Sequence, residues 1–322
     1  MTENVDPRDH FISLIDLQLS RVLLTPHLTF VCGGPVDVRV MTNHSVRNML
    51  MNSSASEPDK SKGFVLAENF KDWKDAYTSL SDFENDIAAI SSLIVLILES
   101  AGSLTEFGLF FSNEALRKKM VVVVHSEHHE AESFIKFGLL NPMEEAKSDS
   151  VLVYDIDAQK IDDIKTSEVE EILGEIYELS ESLDKSASLD ISNRGHLIFL
   201  VYQVIDLFTI VTSGEVSSYM TALGLDLGRR KIESALYILQ KFRLIQKKKR
   251  SSQTFYFSHP DVPDRVRFAF KKDIGDGGKE QRVDSRAVKV QTLEHYRKKS
   301  SLNASFNRRV NLWDKAVASK DE

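Results

Sequence analysis

The chain has 322 residues, 42% of them hydrophobic, which is enough for two globular domains with cores of their own. Its single cysteine excludes an internal disulfide, and the first residues lack the basic and then apolar order of a signal peptide. The main apolar runs, residues 93–98 and 197–211, are too short or too interrupted to span a bilayer. We therefore expect a cytoplasmic protein with no membrane partner.

Charge divides the chain into two halves. Residues 1–190 carry 16 basic and 34 acidic side chains, whereas residues 191–322 carry 25 basic and 14 acidic ones. The resulting net charges of −18 and +11 predict that the two halves face different partners.

Five strand-like apolar runs alternate with helix-length segments in the acidic half. They lie at residues 28–32, 63–67, 93–98, 120–125 and 151–154. Such alternation predicts βαβ units and a Rossmann-like parallel five-stranded sheet. The third and fourth runs are continuously apolar, as expected for strands that helices cover on both faces.

The basic half has the pattern of a mainly α winged-helix domain. A helix buried nearly all round is predicted at residues 195–210, a helix-turn-helix at 214–242, and two strand-like runs around a basic tip at 244–257. Residues 160–185 are polar but keep apolar residues at helical spacing, which indicates a connecting helix. The predicted organisation is thus an α/β domain at 1–158, a helical linker at 159–190, a winged-helix domain at 191–262 and a basic extension at 263–322.

Two basic clusters are the predicted nucleic-acid contacts. Arg229, Arg230 and Lys231 begin the second helix of the helix-turn-helix, and Lys247, Lys248, Lys249 and Arg250 form the wing tip. The alternative is that they only solvate these elements, or that the winged helix contacts protein. In the extension, Tyr296, Phe306 and Trp313 lie among basic residues and could stack on bases or pack on a partner protein.

The segment LESAGSLTEFG at 98–108 contains the main candidates for catalytic and substrate-binding residues. Small residues after a buried strand place the amides of the next helix beside a crevice that suits a polar ligand. Ser103 and Glu106 also have the S-x-x-E spacing of a capping box, in which the glutamate only closes the start of the helix. The spacing leaves both interpretations open.

This segment, with FVCGG at 30–34 and LAENF at 66–70, resembles the nucleoside 2-deoxyribosyltransferase family, and more closely its branch among retron effector proteins. The resemblance covers about the first 155 residues. It implies that Glu106 is the nucleophile that cleaves an N-glycosidic bond and that the loop with Ser100, Gly102 and Ser103 wraps the sugar and phosphate. It also implies an anti-phage retron effector that acts on NAD or a (deoxy)nucleotide. Reverse transcriptase and its RNA-linked single-stranded DNA would hold that effector inactive.

Further residues of the acidic half are candidate substrate contacts. Gly33 and Gly34 either admit a phosphate or form a tight turn. Glu68, at the end of the second predicted strand, and Glu84 with Asn85, in the helix before the third, either contact ribose hydroxyls or are solvated residues at a helix start. Glu99, at the end of the third predicted strand, is a further candidate substrate ligand. Two other functions stay open: a nucleotide-sensing, DNA-binding transcription regulator without catalysis, and a transferase that exchanges bases. A higher-order assembly also stays open.

We predict neither a metal site nor a bound cofactor. His125, His128 and His129 crowd the end of the fourth predicted strand, but their spacing matches no familiar zinc pattern. Cys32 is expected to be a small buried hydrophobic residue.

Overall fold

The structure is a computed structural model that describes residues 6–36, 44–56, 63–259, 261–271, 273–274, 280–281 and 283–318. The chain forms two compact units. The first unit is Leu24–Asp184, and the second combines the residues up to Leu23 with those from Lys185 onward. Across the described ranges, no helix has both the length and the apolar character needed to cross a bilayer.

Strands and helices are numbered here in chain order. The strands are β1 (Ile15–Leu23), β2 (Thr29–Cys32), β3 (Phe64–Leu66), β4 (Leu93–Ile97), β5 (Met120–His125), β6 (Val151–Tyr154), β7 (Ser186–Ser188), β8 (Ile245–Arg250), β9 (Gln253–Ser258), β10 (Val266–Phe270), β11 (Asp273–Ile274) and β12 (Glu280–Gln281). The α-helices are α1 (Pro7–Leu14), α2 (Val46–Ser56), α3 (Leu80–Ile90), α4 (Ala101–Ser112), α5 (Glu114–Arg117), α6 (Ser126–Glu130), α7 (Asn141–Ala146), α8 (Thr166–Glu181), α9 (Arg194–Leu207), α10 (Ser213–Ala222), α11 (Gly228–Lys241), α12 (Ser285–Lys299) and α13 (Ala304–Ala318). Short helical turns lie at Ala67–Phe70, Trp73–Asp75, Lys136–Leu140, Ser148–Ser150 and Ala158–Asp163.

The first unit is built on a five-stranded parallel sheet in the order β3-β2-β4-β5-β6. All five predicted strands are present, two of them at the predicted residues and three within one or two residues of them. The predicted α/β class and the parallel five-stranded sheet are therefore confirmed.

Helices cover both faces of this sheet. Leu93, Val95 and Ile97 of β4 pack in one apolar core with α2 and α8. Alternate strand residues point to the opposite face. There Phe30, which pairs in register with Ile94, lies 6.4 Å from Phe110 of α4 between ring centroids.

Helix α8 is part of the first unit, whereas the sequence predicted a linker at residues 159–190. Val169, Ile172, Leu173 and Ile176 are fully buried in the core that α8 shares with α2. The helical spacing of these residues was therefore the signature of a core helix. Burial of one full apolar stripe is what fastens the helix to the sheet.

The residues up to Leu23 belong to the second unit, although the sequence assigned them to a domain at 1–158. Strand β1 is the central strand of an antiparallel sheet in the order β10-β1-β7. Val22, for example, lies opposite both Val266 and Ala187. Because these partners are far away in sequence, no local pattern indicates the pairing.

The second unit has the predicted order of elements: helices α9, α10 and α11 followed by the β8–β9 hairpin. Val211, between α9 and α10, forms a bridge to Tyr256 of β9. Gly224 and Gly228, at the two ends of the predicted turn, have φ values of 82° and 66°, which L side chains rarely adopt. The assignment of this arrangement as a winged helix stays a prediction.

The C-terminal helices are packed into the second unit by buried polar contacts. The Tyr296 hydroxyl donates to the carbonyl of Phe208, and Arg309 forms a 2.8 Å ion pair with Glu215 of α10. Arg8 of α1 pairs with the same glutamate, also at 2.8 Å. We call Arg8, Glu215 and Arg309 the ion cluster. Tyr296 is fully buried within the second unit. The prediction that this residue stacks on a base or packs on a partner protein is therefore wrong.

Candidate active site

The carboxyl ends of β2 and β4 lie side by side in the sheet. From β2 the chain runs outward to β3 and then crosses over β2 to reach β4, so the direction of winding reverses between β2 and β4. Ligands of open α/β sheets bind at such a switch point, beyond the carboxyl ends of the strands. Gly33 and Gly34 follow β2, and Glu99 and Ser100 follow β4, so two of the sequence motifs meet at this position.

Glu99 holds the switch point together through its carboxylate. Oε1 accepts hydrogen bonds from the amides of Gly34, at 2.7 Å, and Arg47, at 3.0 Å, while Oε2 accepts one of 2.5 Å from Val46. Burial raises the pKa of the Glu99 carboxyl, and the hydrogen bonds from Gly34 and the start of α2 oppose that rise. These contacts with backbone amides give Glu99 a positioning role, and its predicted contact with substrate stays a prediction.

Gly33 and Gly34 are packed too tightly to accept a side chain. A Cβ at Gly33 would lie 2.9 Å from Glu99 Oε1, and one at Gly34 would lie 2.6 Å from the Cβ of Ser45. The close approach to the Glu99 carboxylate and α2 explains both glycines. Their predicted contact with a phosphate stays a prediction.

Helix α4 is capped by Ser100 and Ser103. Ser100 Oγ accepts from the amide of Ser103 at 3.1 Å, and Ser103 Oγ accepts from the amide of Ser100 at 3.0 Å. The alternative in which Ser103 and Glu106 form the capping box is therefore wrong, because Glu106 lies in the second turn. Gly102 is exposed, and a Cβ there would meet only Ser100 Oγ, at 3.6 Å, which leaves open space beside it.

Glu106 lines a cavity at the carboxyl end of the sheet, which we call the Glu106 cavity. Its volume is about 360 Å³, and the Glu106 side chain is half-buried. The cavity lies between α4, α3 and the residues after β2 and β3. The lining residues are Phe30, Gly33, Arg47, Ala67, Phe70, Lys71, Trp73, Leu80, Phe83, Glu84, Ile87, Glu106, Leu109 and Phe110.

Aromatic rings form one wall of the Glu106 cavity. Trp73 and Phe83 are stacked with an interplanar angle of 12° and 5.6 Å between ring centroids. Phe70 contacts both Phe83 and Phe30. Flat apolar walls of this kind suit a nucleobase, since bases stack on aromatic side chains.

Three charged residues line the Glu106 cavity besides Glu106, namely Arg47, Glu84 and the exposed Lys71. Arg47 is fully buried, and its Nη1 donates to the carbonyl of Val31 at 3.2 Å. The sequence leaves Glu84 of α3 open as a ribose contact or a solvated residue, and burial raises the pKa of this carboxyl in the structure. The sequence indicates Glu84 as a site residue because it precedes a buried strand that ends at the site. No local sequence pattern distinguishes Arg47.

Of the remaining predicted substrate residues, Glu68 lies in the helical turn Ala67–Phe70 that follows β3. Its backbone is at the same edge of the sheet, but its side chain lies outside the described part of the chain. Asn85, next to Glu84, accepts a hydrogen bond of 2.9 Å from the side chain of Asn113.

Three histidines lie at the end of β5 and in α6, and the rings of His125 and His128 are 5.8 Å apart between centroids. His125 Nδ1 accepts from the amide of Glu127 at 3.0 Å, and His129 Nε2 lies 2.9 Å from the Glu144 carboxylate. Among the residues that the structure describes, no three His, Cys, Asp or Glu side chains are grouped so as to hold a metal ion. Cys32 is buried in β2, as predicted.

The predicted nucleic-acid residues lie on the surface of the second unit. Arg229, Arg230 and Lys231 begin α11, and Arg229 pairs with Glu233 at 2.7 Å while its side chain remains 90% exposed. Lys247, Lys248, Lys249 and Arg250 are all exposed on β8. The structure thus presents these side chains to solvent, as phosphate contact requires.

The chain is similar to a family of retron effector proteins and to two retron proteins of Escherichia coli. A family model described as "STM3845 retron effector protein" matches residues 43–247. The Escherichia coli "Retron Ec86 putative ribosyltransferase/DNA-binding protein" is 31% identical over 126 residues, which cover 38% of this chain and 39% of that protein. The correspondingly named protein of Escherichia coli retron Ec73 is 31% identical over 133 residues, which cover 39% of this chain and 42% of that protein. The matched segment spans about two fifths of the length of these relatives.

Proposed function

We propose that the first unit cleaves the N-glycosidic bond of NAD or a (deoxy)nucleotide with Glu106 as the nucleophile. The chain belongs to the STM3845 retron effector protein family. The observation that carries the proposal is the position of Glu106. Its side chain lines an aromatic-walled cavity at the switch point of a parallel sheet. A carboxylate in such a cavity is suited to attack a sugar whose base stacks on the walls.

The absence of Glu106 from the cap supports this role. Ser100 and Ser103 satisfy each other's amides at the start of α4, so the helix start does not use the Glu106 carboxylate. A carboxylate that lines a cavity at this edge of the sheet is a candidate for contact with a ligand.

The chemistry proceeds in two balanced steps. A Glu106 oxygen bonds to C1′ of the sugar as the bond from C1′ to the base nitrogen breaks, and the electron pair of that bond leaves with the base. Water then attacks C1′ as the bond from C1′ to the Glu106 oxygen breaks, so the carboxylate is restored, the sugar gains a hydroxyl and the second proton of the water passes to solvent or to a base that left as an anion. A second base in place of water would give transfer instead. The transition state has oxocarbenium character, which a nearby carboxylate stabilises.

The leaving group decides what else the site must supply. In NAD the glycosidic nitrogen is cationic, so nicotinamide leaves as a neutral molecule without a proton. Adenine leaves more readily when it is protonated, and Glu84 is the second carboxyl of the cavity that can hold such a proton. Replacement of Glu84 by Gln should therefore slow cleavage of adenine nucleotides while sparing that of NAD.

For the second unit we propose nucleic-acid binding and control of the first unit. The exposed residues Arg229–Lys231 and Lys247–Arg250 supply the charge for phosphate contact. The names of the Escherichia coli relatives join a ribosyltransferase to DNA binding, and we extend that pairing to this chain. The partners proposed are a retron reverse transcriptase and its RNA-linked single-stranded DNA, which would hold the glycosidase inactive until phage infection disturbs the assembly.

The test is incubation of the purified full chain with NAD and a panel of nucleotides, with and without reverse transcriptase and its nucleic acid. Mass spectrometry would detect the free base. Release of one base, lowered when the partners are present, supports the proposal. Tight binding of a nucleotide with no release under any condition would instead favour a nucleotide sensor that regulates transcription.

A further inference from the structure

A second cavity lies on the other side of α4 from Glu106, still within the first unit. It is about as large, at about 360 Å³. On α4 it is lined by Ser100, Ala101 and Leu104, whereas Glu106 and its neighbours line the Glu106 cavity. At 3.6 residues per turn these two sets face roughly opposite directions, so the cavities flank the first turns of one helix. We call the second one the distal cavity.

The walls of the distal cavity come from the ends of three adjacent strands. Leu98 follows β4, Val124 and His125 end β5, and Ile156 and Asp157 follow β6. Leu98, Val124 and Ile156 are buried and give the cavity an apolar floor. His125 and Asp157 are half-buried at its edge. An apolar slot with a few polar groups at its rim is typical of a small-molecule site.

The polar groups have defined hydrogen-bonding roles. Because His125 Nδ1 accepts from the Glu127 amide, the proton of the neutral ring lies on Nε2, which can donate to a heterocyclic nitrogen. Asp157 accepts from the amide of Gln159 at 2.8 Å through Oδ1, and its other oxygen is 3.4 Å from the exposed Lys160 amine. A carboxylate in this position can accept from the hydroxyls of a ribose, as acidic residues do at the strand ends of nucleotide-binding sheets.

We propose that the distal cavity binds the second nucleoside of a dinucleotide whose scissile glycosidic bond lies beside Glu106. The base would rest on the apolar floor and accept from His125, while the ribose hydroxyls donate to Asp157. This inference rests on the proposed glycosidase function and narrows its substrate class to dinucleotides such as NAD, as opposed to nucleosides or mononucleotides. A linear ligand that fills both cavities crosses the first turn of α4, which is where Gly102 leaves open space.

The charge of the distal cavity favours a nucleoside over a free phosphate. Glu99 and Asp157 both line it, and each is a carboxylate when ionised. The carboxylates would repel a phosphate. Uncharged ribose hydroxyls can instead donate to Asp157, and a ring nitrogen can accept from His125 Nε2. The phosphates of a dinucleotide would instead lie between the cavities.

The test compares two isosteric variants of the full chain, Asp157→Asn and Asp155→Asn. Asp157→Asn keeps an oxygen for the Gln159 amide but loses the charge. Asp155 is the matched control, because it lies two residues away, bonds to the Ser126 hydroxyl and does not line the cavity. Steady-state kinetics would be measured with NAD and with nicotinamide mononucleotide, which lacks the second nucleoside.

We expect Asp157→Asn to raise KM for NAD by about tenfold, the usual effect of losing a hydrogen bond to a charged group, with cleavage of the mononucleotide unchanged. Asp155→Asn should match wild type with both substrates. An unchanged KM for NAD in Asp157→Asn, or equal kcat/KM for the two substrates in wild type, would overturn the proposal while leaving the glycosidase function intact.

Binding of AMP, measured by calorimetry, separates the two proposals further. AMP should bind Glu106→Gln protein and bind more weakly when Asp157→Asn is added, but not when Asp155→Asn is added. Cleavage of neither substrate, nor of any nucleotide of the panel, by wild type would refute the glycosidase function, and the AMP titration would still decide whether the distal cavity is a nucleoside site. No AMP binding at millimolar concentration would overturn the distal site.

Discussion

The amide of Gly34 donates a 2.7 Å hydrogen bond to Oε1 of Glu99, which ties the end of β2 to the end of β4 at the switch point of the sheet. The contact explains why a glycine pair follows one strand and a glutamate follows the other. It also means that the shape of the Glu106 cavity depends on residues that need not touch substrate.

Replacement of Gly34 by Ala should destabilise the first unit. The new Cβ would lie 2.6 Å from that of Ser45, and overpacking of this kind costs about 1–3 kcal/mol of unfolding free energy. Gly102→Ala is the matched control, because its Cβ meets only Ser100 Oγ at 3.6 Å and alanine favours a helix by up to about 1 kcal/mol. Urea unfolding would measure both, and a Gly34→Ala protein as stable as wild type would contradict the packing described here.

The raised pKa of Glu99 predicts a pH dependence of stability. A carboxyl whose pKa is higher in the folded than in the unfolded protein binds its proton more tightly when folded. Its contribution to the free energy of unfolding is therefore greatest below the unfolded pKa and declines as pH rises through the folded pKa. In Glu99→Gln this decline should disappear, although the variant is less stable overall because three amides lose a carboxylate acceptor. Parallel slopes for the two proteins would contradict the assignment.

The strands that hold the site were predictable, and the contacts that shape it were not. Residues 93–97 and 120–125 are continuous apolar runs, and such runs identify buried parallel strands directly. Glu106 was identified through its motif, but the spacing alone also fitted a capping box of Ser103 with Glu106, whereas the structure forms the box from Ser100 and Ser103. Arg47 was missed because it meets Glu99 across 52 residues of sequence through a backbone amide, which any residue type can supply.

In the second unit, too, local elements were predictable from the sequence and long-range contacts were not. Helix α11 and the basic hairpin follow from local periodicity and turn glycines. Strand β1 was not predicted, because its partners Val266 and Ala187 lie in the C-terminal part of the chain. Charge counting likewise placed residues up to Leu23 with the acidic half, although Arg8 is buried against Glu215.

The ion cluster should make α1 essential to the second unit. Arg8→Leu removes the cation that pairs with Glu215 and Asp6. Because Glu215 keeps its pair with Arg309, we expect a loss of unfolding free energy below the about 3–5 kcal/mol that follows when a buried charge is left unpaired. The control is Arg229→Leu, which breaks a 2.7 Å pair with Glu233 on the surface and should leave the unfolding midpoint unchanged. Equal midpoints for the two variants would show that the cluster contributes nothing to stability.

Binding of single-stranded DNA should depend on the β8 residues Lys247–Arg250. Their replacement by Ser should weaken binding and lower the slope of log affinity against log salt by about 2.8, if each residue meets one phosphate. The control replaces four basic residues of the first unit, Arg117, Lys118, Lys147 and Lys160, by Ser. A salt slope that changes equally in both proteins, or in neither, would remove the hairpin from the interface.

The central claim is that Glu106 cleaves a glycosidic bond, and its most direct test is release of free base from NAD and nucleotides by Glu106→Gln. This variant keeps the size of the side chain, and the helix cap is formed by Ser100 and Ser103, so the fold should persist. Glu114→Gln, an exposed glutamate on the next helix, is the control. We predict that Glu106→Gln lowers the rate of base release by at least about a hundredfold, while Glu114→Gln matches wild type. A folded Glu106→Gln protein that releases base within a few-fold of the wild-type rate would contradict the account.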